Sequence, residues 1–578
     1  IYVTTQDTGD NSFDAGGNVS VGLTAATLVS QWTWAATLLQ SSSVASKYGI
    51  SGPFWYASGA TIQLLLFAMI SVQLKIRAPG AKTFLQVIWA RFDKKTHVTF
   101  CVFALATNII VTSMLMLGGT AVLTNLIKDF SVEYATCLVC AVIGSYTFIG
   151  GLGATFYMSY CATSIMFVIL LICIMQVYHV ETPGNPLGSV AKVYQYVDCL
   201  TGPVGNEGRS YLTLISIDGL MFGIINIIGN FGTVFVDQSF WQSSVAAKPK
   251  TGALGFLSGG VVWFAIPFCF ATAMGLGYIS LSFMQGQPIL SDADIDKGLV
   301  PPAVAQRLLG LPGELMIVVM LIMAVISTGS SEIIAVVSIL IYDVYAVHLK
   351  VRPYRAALDS NSCILCGKAK GRMANPRDKC SCESMTFCLE CKQDNEAIAN
   401  NKRALKPAYK CKTHGAYRSY KDYLSAMKDW CIVWTTLAII PMTFVLNFMQ
   451  ISLGWLYLFM GVLIGSAVAP ICLSMCWARL TGKAMVAGSV SGTVLGLVAW
   501  LTTAAFMEGG LGQFMKSTGS NEAMLAGNLV SMGLGLIVTV VVTMVTNRDF
   551  QPEKAAEVWE TTRDIDNPLH PWSELYAK

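Results

Sequence analysis

An all-α polytopic membrane protein is the fold class this chain predicts, on three observations. Its 578 residues are 54% hydrophobic and 12% charged, whereas a soluble domain carries about 25% charge. The apolar residues gather into runs long enough to cross a hydrocarbon core, which takes about 20 helical residues. No stretch shows the short apolar–polar alternation of a barrel strand. A net charge of +4, dispersed along the chain, offers nucleic acid no basic surface.

In chain order, residues 1–18 are polar and Gly-rich and lack a cleavable signal pattern. There is no initiator Met, so the native N-terminus is expected upstream, with a further helix ahead of Ile1. Twelve spans are expected, at about 19–47, 53–75, 97–126, 132–152, 155–179, 211–241, 252–284, 312–347, 430–450, 453–478, 484–507 and 522–546. With 1–18 in the cytosol, the inner loops collect Lys75 to Lys95, Lys248, Lys250, Arg479, Lys483 and the basic residues of 350–428 and 547–578. These are most of the 38 Lys and Arg residues, as the positive-inside rule requires.

The first and sixth runs lie five spans apart, and each carries amides at an interruption. That pattern points to an inverted repeat of five plus five helices with discontinuous lead helices. The first repeat spans 19–180. The second begins with three helices in 211–349 and ends with two in 429–480. Two extra helices follow in 483–546, and the cytosolic tail is 547–578.

Residues 350–428 interrupt the second repeat with a polar, basic, cysteine-dense cytosolic loop. The pairs Cys363/Cys366, Cys380/Cys382, Cys388/Cys391 and Cys411/His414 supply eight soft ligands, the complement of two structural zinc ions. A reducing cytosol disfavours disulfides. Unligated thiols are the plainer alternative. The pair order resembles RING-type cross-brace modules, but Cys382 stands where those carry His, so a structural or regulatory loop is favoured over a ubiquitin ligase.

Polar groups at membrane depth carry the functional reading. They are Gln31, Thr33, Thr37 and Gln40 in the first run, Asn226, Asn230, Asp237 and Gln238 in the sixth, and Ser327, Thr328, Ser330, Ser331 and Glu332 in the eighth. A lone hydroxyl is readily satisfied by the carbonyl one turn back. Amides and carboxyls are costly in hydrocarbon unless they line an enclosed cavity, so solute passage is the reading. Ser327 and Thr328 offer oxygen to a hard cation. Glu332, one turn on, is either a proton carrier or a carboxyl bonded within the bundle.

The segments Trp32–Ser42, Tyr48–Thr61, Thr107–Thr112, Val236–Gln242, Ser327–Glu332 and Tyr342–Tyr345 resemble the urea active transporters, the urea–proton symporter branch of the sodium:solute symporter superfamily. The resemblance implies a leucine-transporter-type fold built from runs one to ten. It also implies an ion site of main-chain oxygens at Val29 and Trp32 with Ala324, Ser327 and Thr328. Gln31 stands where many sodium-coupled relatives have an acid or Asn, a departure compatible with a proton. Asn230 falls on the solute-binding Asn of sugar-carrying relatives, and Trp263 replaces their Lys, so a sugar site is not reproduced.

Urea is flat and neutral, with N–H donors and one carbonyl acceptor that amide side chains can match. The expected substrate contacts are Gln31, Trp34, Trp55, Tyr56, Asn230 and Trp263. The expected activity is urea import across the plasma membrane by symport with a proton or sodium ion. No nucleophile–base arrangement marks an enzyme. A sodium-coupled carrier of proline or a polyamine is one alternative. A membrane-tethered zinc signalling module, whose helices only anchor it in the lipid bilayer, is another.

Overall fold

The computed structural model describes residues 20–349, 388–400, 408–563 and 565, apart from residues 128, 248 and 508. The expected lead-in 1–18, the end of the tail, and Cys363, Cys366, Cys380 and Cys382 lie outside the described residues.

The first expected run is two helices, α1 (Val21–Trp32) and α2 (Ala35–Tyr48), parted at Thr33 and Trp34. Next come α3 (Ser51–Arg77), the short α4 (Phe84–Arg91), α5 (Lys94–Leu126), α6 (Val132–Tyr178) and α7 (Val190–Asp198). α6 contains two membrane-length segments, Val132–Ile149 and Thr155–Tyr178. The sixth run is again split, into α8 (Ile217–Phe235) and α9 (Gln238–Ala246), at Val236 and Asp237. Then α10 (Pro249–Ala265) passes through a π-helical turn, Ile266–Phe270, into α11 (Ala271–Gln285). After α12 (Asp292–Asp296) and α13 (Val300–Leu309), α14 (Leu311–Ser338) continues as a π-helical stretch, Ile339–Leu349. The remaining helices are α15 (Leu389–Asn400), α16 (Gly415–Phe448), α17 (Leu453–Ile464), α18 (Val468–Cys476), α19 (Gly482–Phe506), α20 (Phe514–Thr518), α21 (Asn521–Thr546) and α22 (Lys554–Arg563).

Among the described residues, 11 helices are long and apolar enough to cross a membrane. The first run adds a crossing in two halves of 12 and 14 residues, each too short by itself. One boundary differs from expectation. α16 starts at Gly415 rather than near residue 430. Arg418, Lys421, Asp422 and Lys428 stand on its added turns, and their charges lower the hydropathy of a helix that also buries Tyr417 and Leu424.

The two ends of the bundle are fastened differently. On the outer side, Gly49 turns the chain from α2 into α3 at φ +69°, and Ile50 N–H donates to Tyr211 O at 2.9 Å. A Cβ on Gly49 would lie 1.9 Å from that same carbonyl oxygen. On the inner side, Arg91 donates to the carbonyls of Ser474, Trp477 and Ala478 at the end of α18. The Trp559 ring of α22 covers two guanidinium groups, Arg77 at 3.6 Å and Arg91 at 4.6 Å. Thr562 Oγ1 donates to Arg77 O at 2.9 Å.

Gly49→Ala combines a clash with a left-handed backbone. It is expected to cost about 1–3 kcal/mol, read as a lower denaturation midpoint of the detergent-solubilised protein.

Candidate functional site

Hydroxyls replace the missing helix ladder at the first break. Thr33 Oγ1 donates to Val29 O at 2.6 Å, closing α1. Across the gap, Thr37 Oγ1 donates to Trp32 O at 3.0 Å and accepts from Trp34 N–H at 3.2 Å. At the second break Asp237 caps α9, its Oδ1 accepting from Ser239 N–H at 2.7 Å. Each interruption is thus satisfied inside the protein, as the bilayer requires.

A cavity of about 1070 Å³ opens on the outer side between α2, α5, α17 and the start of α21. Phe222 lines it and stacks on Tyr56 at 6.1 Å and Tyr457 at 6.4 Å, while Tyr56 and Tyr457 stack at 5.5 Å. Amides tie this aromatic pile together. Tyr457 Oη donates to Asn226 Oδ1 at 2.5 Å and accepts from Asn230 Nδ2 at 3.2 Å. Asn226 Nδ2 donates to the carbonyls of Trp55 and Tyr56.

Indoles gather at the first break. The Trp32 ring meets Trp34 edge-on at 4.9 Å, Phe240 at 5.1 Å and Trp263 at 5.9 Å. Trp32 Nε1 donates to Ala60 O. The Nε1–H groups of Trp34 and Trp263 are buried without a partner among the described residues. A buried unpaired donor costs about 1–3 kcal/mol, and both of these indoles pack on the Trp32 ring.

Oxygen atoms cluster where α1 meets α14. Ser327 Oγ lies 2.6 Å from Ser30 Oγ and 3.1 Å from Ser159 Oγ. Thr328 Oγ1 donates to Gln31 O at 3.2 Å. A third constellation joins α5, the second break and α14. Asn108 Nδ2 donates to Asp237 Oδ1 at 2.9 Å and to Glu332 Oε2 at 2.7 Å. All three side chains are buried. Both carboxyls thus converge on one amide nitrogen, away from water.

The expected contacts divide among these places. Trp34 and Trp263 share Trp32, while Tyr56 and Asn230 meet through Tyr457. Gln31 goes elsewhere: its Nε2 donates to Ser331 Oγ and its Oε1 accepts from Ser243 Oγ, on α14 and α9. Trp55 is half-buried, with its ring against Gly223 and Phe54, away from the break. Of the expected ion residues, Ser327 and Thr328 reach across from α14 to Ser30 and to the Gln31 carbonyl of α1; Val29 and Trp32 on α1 and Ala324 on α14 are buried. Tyr457, Asn226, Asn108 and Asp237 were not among the expected contacts. The last three are polar groups at membrane depth, whereas Tyr457 sits in an apolar run that gives no signal.

Among the cytosolic ligand pairs, Cys388, Cys391, Cys411 and His414 come together, buried, with their donor atoms within 4.8 Å of one another. This joins the third pair to the fourth, whereas a cross-brace would interleave them. A tetrahedral zinc with bonds of about 2.3 Å to sulfur and about 2.0 Å to nitrogen sets S···S near 3.8 Å and S···N near 3.5 Å. Cys388 and Cys411 Sγ are 3.8 Å apart, and His414 Nδ1 lies 3.4 and 3.5 Å from Cys391 and Cys411 Sγ. Burial, then the neighbouring Cys411 and Cys388, pushes the Cys391 thiol up to about 12, and a metal reverses that by displacing the protons.

Two helices broken at mid-membrane, polar groups between them and a vestibule on one side define a helical membrane carrier. The chain belongs to the sodium:solute symporter family, whose sequence profile matches residues 13–358. It is 38% identical to the urea-proton symporter of Oryza sativa subsp. japonica over 98% of this chain and 69% of that protein. The probable urea active transporter 1 of Schizosaccharomyces pombe is 35% identical over 89% of this chain and 68% of its own. A solved Na+-coupled sialic acid symporter, in a substrate-bound outward-open state, is 12% identical; it aligns over 94% of each chain with a TM-score of 0.60, which shows a shared leucine-transporter-type fold.

Tyr457→Phe removes two bonds from the amide knot of α8 and α17, the one given to Asn226 and the one taken from Asn230. The expected loss is about 2 kcal/mol, measured as a reduced thermal midpoint with the membrane fraction unchanged.

Proposed function

We propose that this protein imports urea across the plasma membrane by symport with a proton, alternating between outward and inward openings. The observation that carries the reading is the pair of buried indole donors, Trp34 and Trp263, flanking Trp32. Urea's carbonyl oxygen accepts two N–H bonds, which suits two donors that have nothing else to bind. Flat aromatic faces exclude water and reject solutes that cannot answer those donors. The vestibule supplies the outer approach, and Phe222, backed by Tyr56 and Tyr457, lines its wall. The names of the two relatives above support the same substrate.

Asp237 and Glu332 favour the proton as driving ion, because two carboxyls on one Asn108 nitrogen form a site that a proton fills without further ligands. The Ser30, Ser159, Ser327 and Thr328 oxygens support a second reading, a sodium ion between α1 and α14. For the cytosolic cluster we propose one structural zinc on Cys388, Cys391, Cys411 and His414, tying α15 to the foot of α16. A second zinc on Cys363, Cys366, Cys380 and Cys382 stands as the sequence expectation.

Radiolabelled urea uptake into proteoliposomes, with pH and sodium gradients imposed separately, tests the reading. A pH gradient alone is expected to drive accumulation, and dependence on sodium alone would replace the proton. Glu332→Gln is expected to abolish pH-driven accumulation, and Thr328→Ala to leave it within about twofold unless the ion sits at the hydroxyls. Trp34→Ala is expected to raise the urea KM about tenfold through one lost hydrogen bond; an unchanged KM removes the indoles from the site. Metal analysis of purified Cys391→Ala is expected to show about one zinc fewer per chain than the parent.

A further inference from the structure

Proton symport needs a place where the proton leaves. We infer that His97, Asp343 and His348 form a second proton-binding site at the cytosolic end of α5 and α14, which accepts the proton after inward opening and passes it to the cytosol. The inference rests on the proton reading above.

The cluster is a chain that ends at the surface. His97 Nε2 lies 3.2 Å from Asp343 Oδ1, and His97 Nδ1 lies 3.1 Å from His348 Nε2. His97 and Asp343 are fully buried, while His348 is partly exposed. Both nitrogens of a buried imidazole are therefore engaged, one toward a carboxyl and one toward a ring in contact with solvent. Burial alone asks only that each nitrogen find a partner; here one partner is itself titratable and continues the path to solvent.

Position supports the same role. Asn108 and Glu332 hold the upper site, and His97 and Asp343 lie eleven residues from them on the same two helices, toward the inner end of each. On α5, eleven residues are three turns, or about 16 Å. Two antiparallel helices thus carry facing titratable pairs at two heights. The lower pair depends on the local backbone. On an α-helix, Asp343 and His348 would point about 140° apart, since positions five residues apart do not share a face. Ile339–Leu349 is π-helical, with bonds between residues five apart, and this brings both side chains onto His97.

Few other charges face the cluster. Cys101 Sγ of α5 lies 3.7 Å from His97 Nε2. The Trp89 ring of α4 stands edge-on to His97 at 5.2 Å and to His348 at 5.7 Å. Thr83 approaches the Asp343 carboxyl and Lys94 is the cation near His348. From α16, Tyr423 meets Tyr345.

The transfer balances without a co-reactant. Three turns exceed a direct hop, so the proton released by Asp237 and Glu332 travels on water admitted by inward opening and protonates the Asp343 carboxylate. Asp343 gives it to His97 Nε2. As that N–H bond forms, the N–H bond at Nδ1 breaks and its proton passes to His348 Nε2. His348 then releases a proton from its other ring nitrogen to cytosolic water. His97 and His348 return to their starting tautomers by exchanging a ring proton with water, and Asp343 is again a carboxylate, so the net change is one proton delivered to the cytosol.

Net uptake requires proton release, whereas urea–urea exchange at equal pH does not, because the carrier returns still protonated. In proteoliposomes of the full chain, His97→Gln and Asp343→Asn are expected to slow pH-driven net uptake about tenfold while exchange stays within about twofold of the parent. His348→Gln, at the exposed end, is expected to slow net uptake about threefold. Parallel losses of net uptake and exchange would make the cluster structural, and unchanged net uptake would remove it from the proton path; either overturns the inference. Failure of the parent protein to accumulate urea under a pH gradient would instead overturn the proton reading on which it rests.

Discussion

Backbone N–H and C=O groups cannot be left unpaired inside a hydrocarbon core, and everything central to this molecule follows from how two broken helices meet that demand. At Thr33–Trp34 the substitutes are threonine hydroxyls, and at Val236–Asp237 the substitute is a carboxylate cap. Once side chains are committed to the breaks, the neighbouring helices must bring polar partners of their own. Ser159, Ser327, Asn108 and Glu332 are such partners. The polar middle of the protein is a consequence of the interruptions, and the site is built from what the interruptions attract.

That logic explains what could be read before any coordinates. Membrane-length runs, their alternating basic loops and the amides in the first and sixth runs are local properties of the sequence, so the all-helical class and the broken lead helices were legible. Gln31 shows the limit. It precedes Trp34 by three residues, close to one helical turn, which makes the two look like neighbours. Because α1 ends at Trp32 and the chain extends before α2 begins, that turn is lost, and Gln31 bonds to α9 and α14 while Trp34 packs on the Trp32 ring. A helical wheel cannot survive a break in the helix.

Tyr457 and the first turns of α16 were illegible for opposite reasons. Tyr457 is one hydroxyl in an apolar helix, and its importance comes from Asn226 and Asn230, more than 220 residues away in sequence. The turns from Gly415 are helical but charge-rich, so their composition reads as loop although Tyr417 and Leu424 are buried. In the cysteine-rich insert, spacing identified the ligands, but sequence order does not dictate which pairs converge. The union of Cys388/Cys391 with Cys411/His414 depends on α15 folding back on the start of α16.

The clasp beneath the bundle has an energetic consequence for the transport cycle. Trp559 stacks on Arg77, at the foot of α3, and on Arg91, which is itself bonded to the end of α18 in the other repeat. If the cytoplasmic mouth widens, α3 and α18 part, and one ring cannot follow both arginines. Losing a shielded cation–π contact of about 1–2 kcal/mol would favour the outward-facing population by roughly five- to thirtyfold. The helix α22 then acts as a ballast on the resting equilibrium, holding an idle carrier toward the side where substrate arrives.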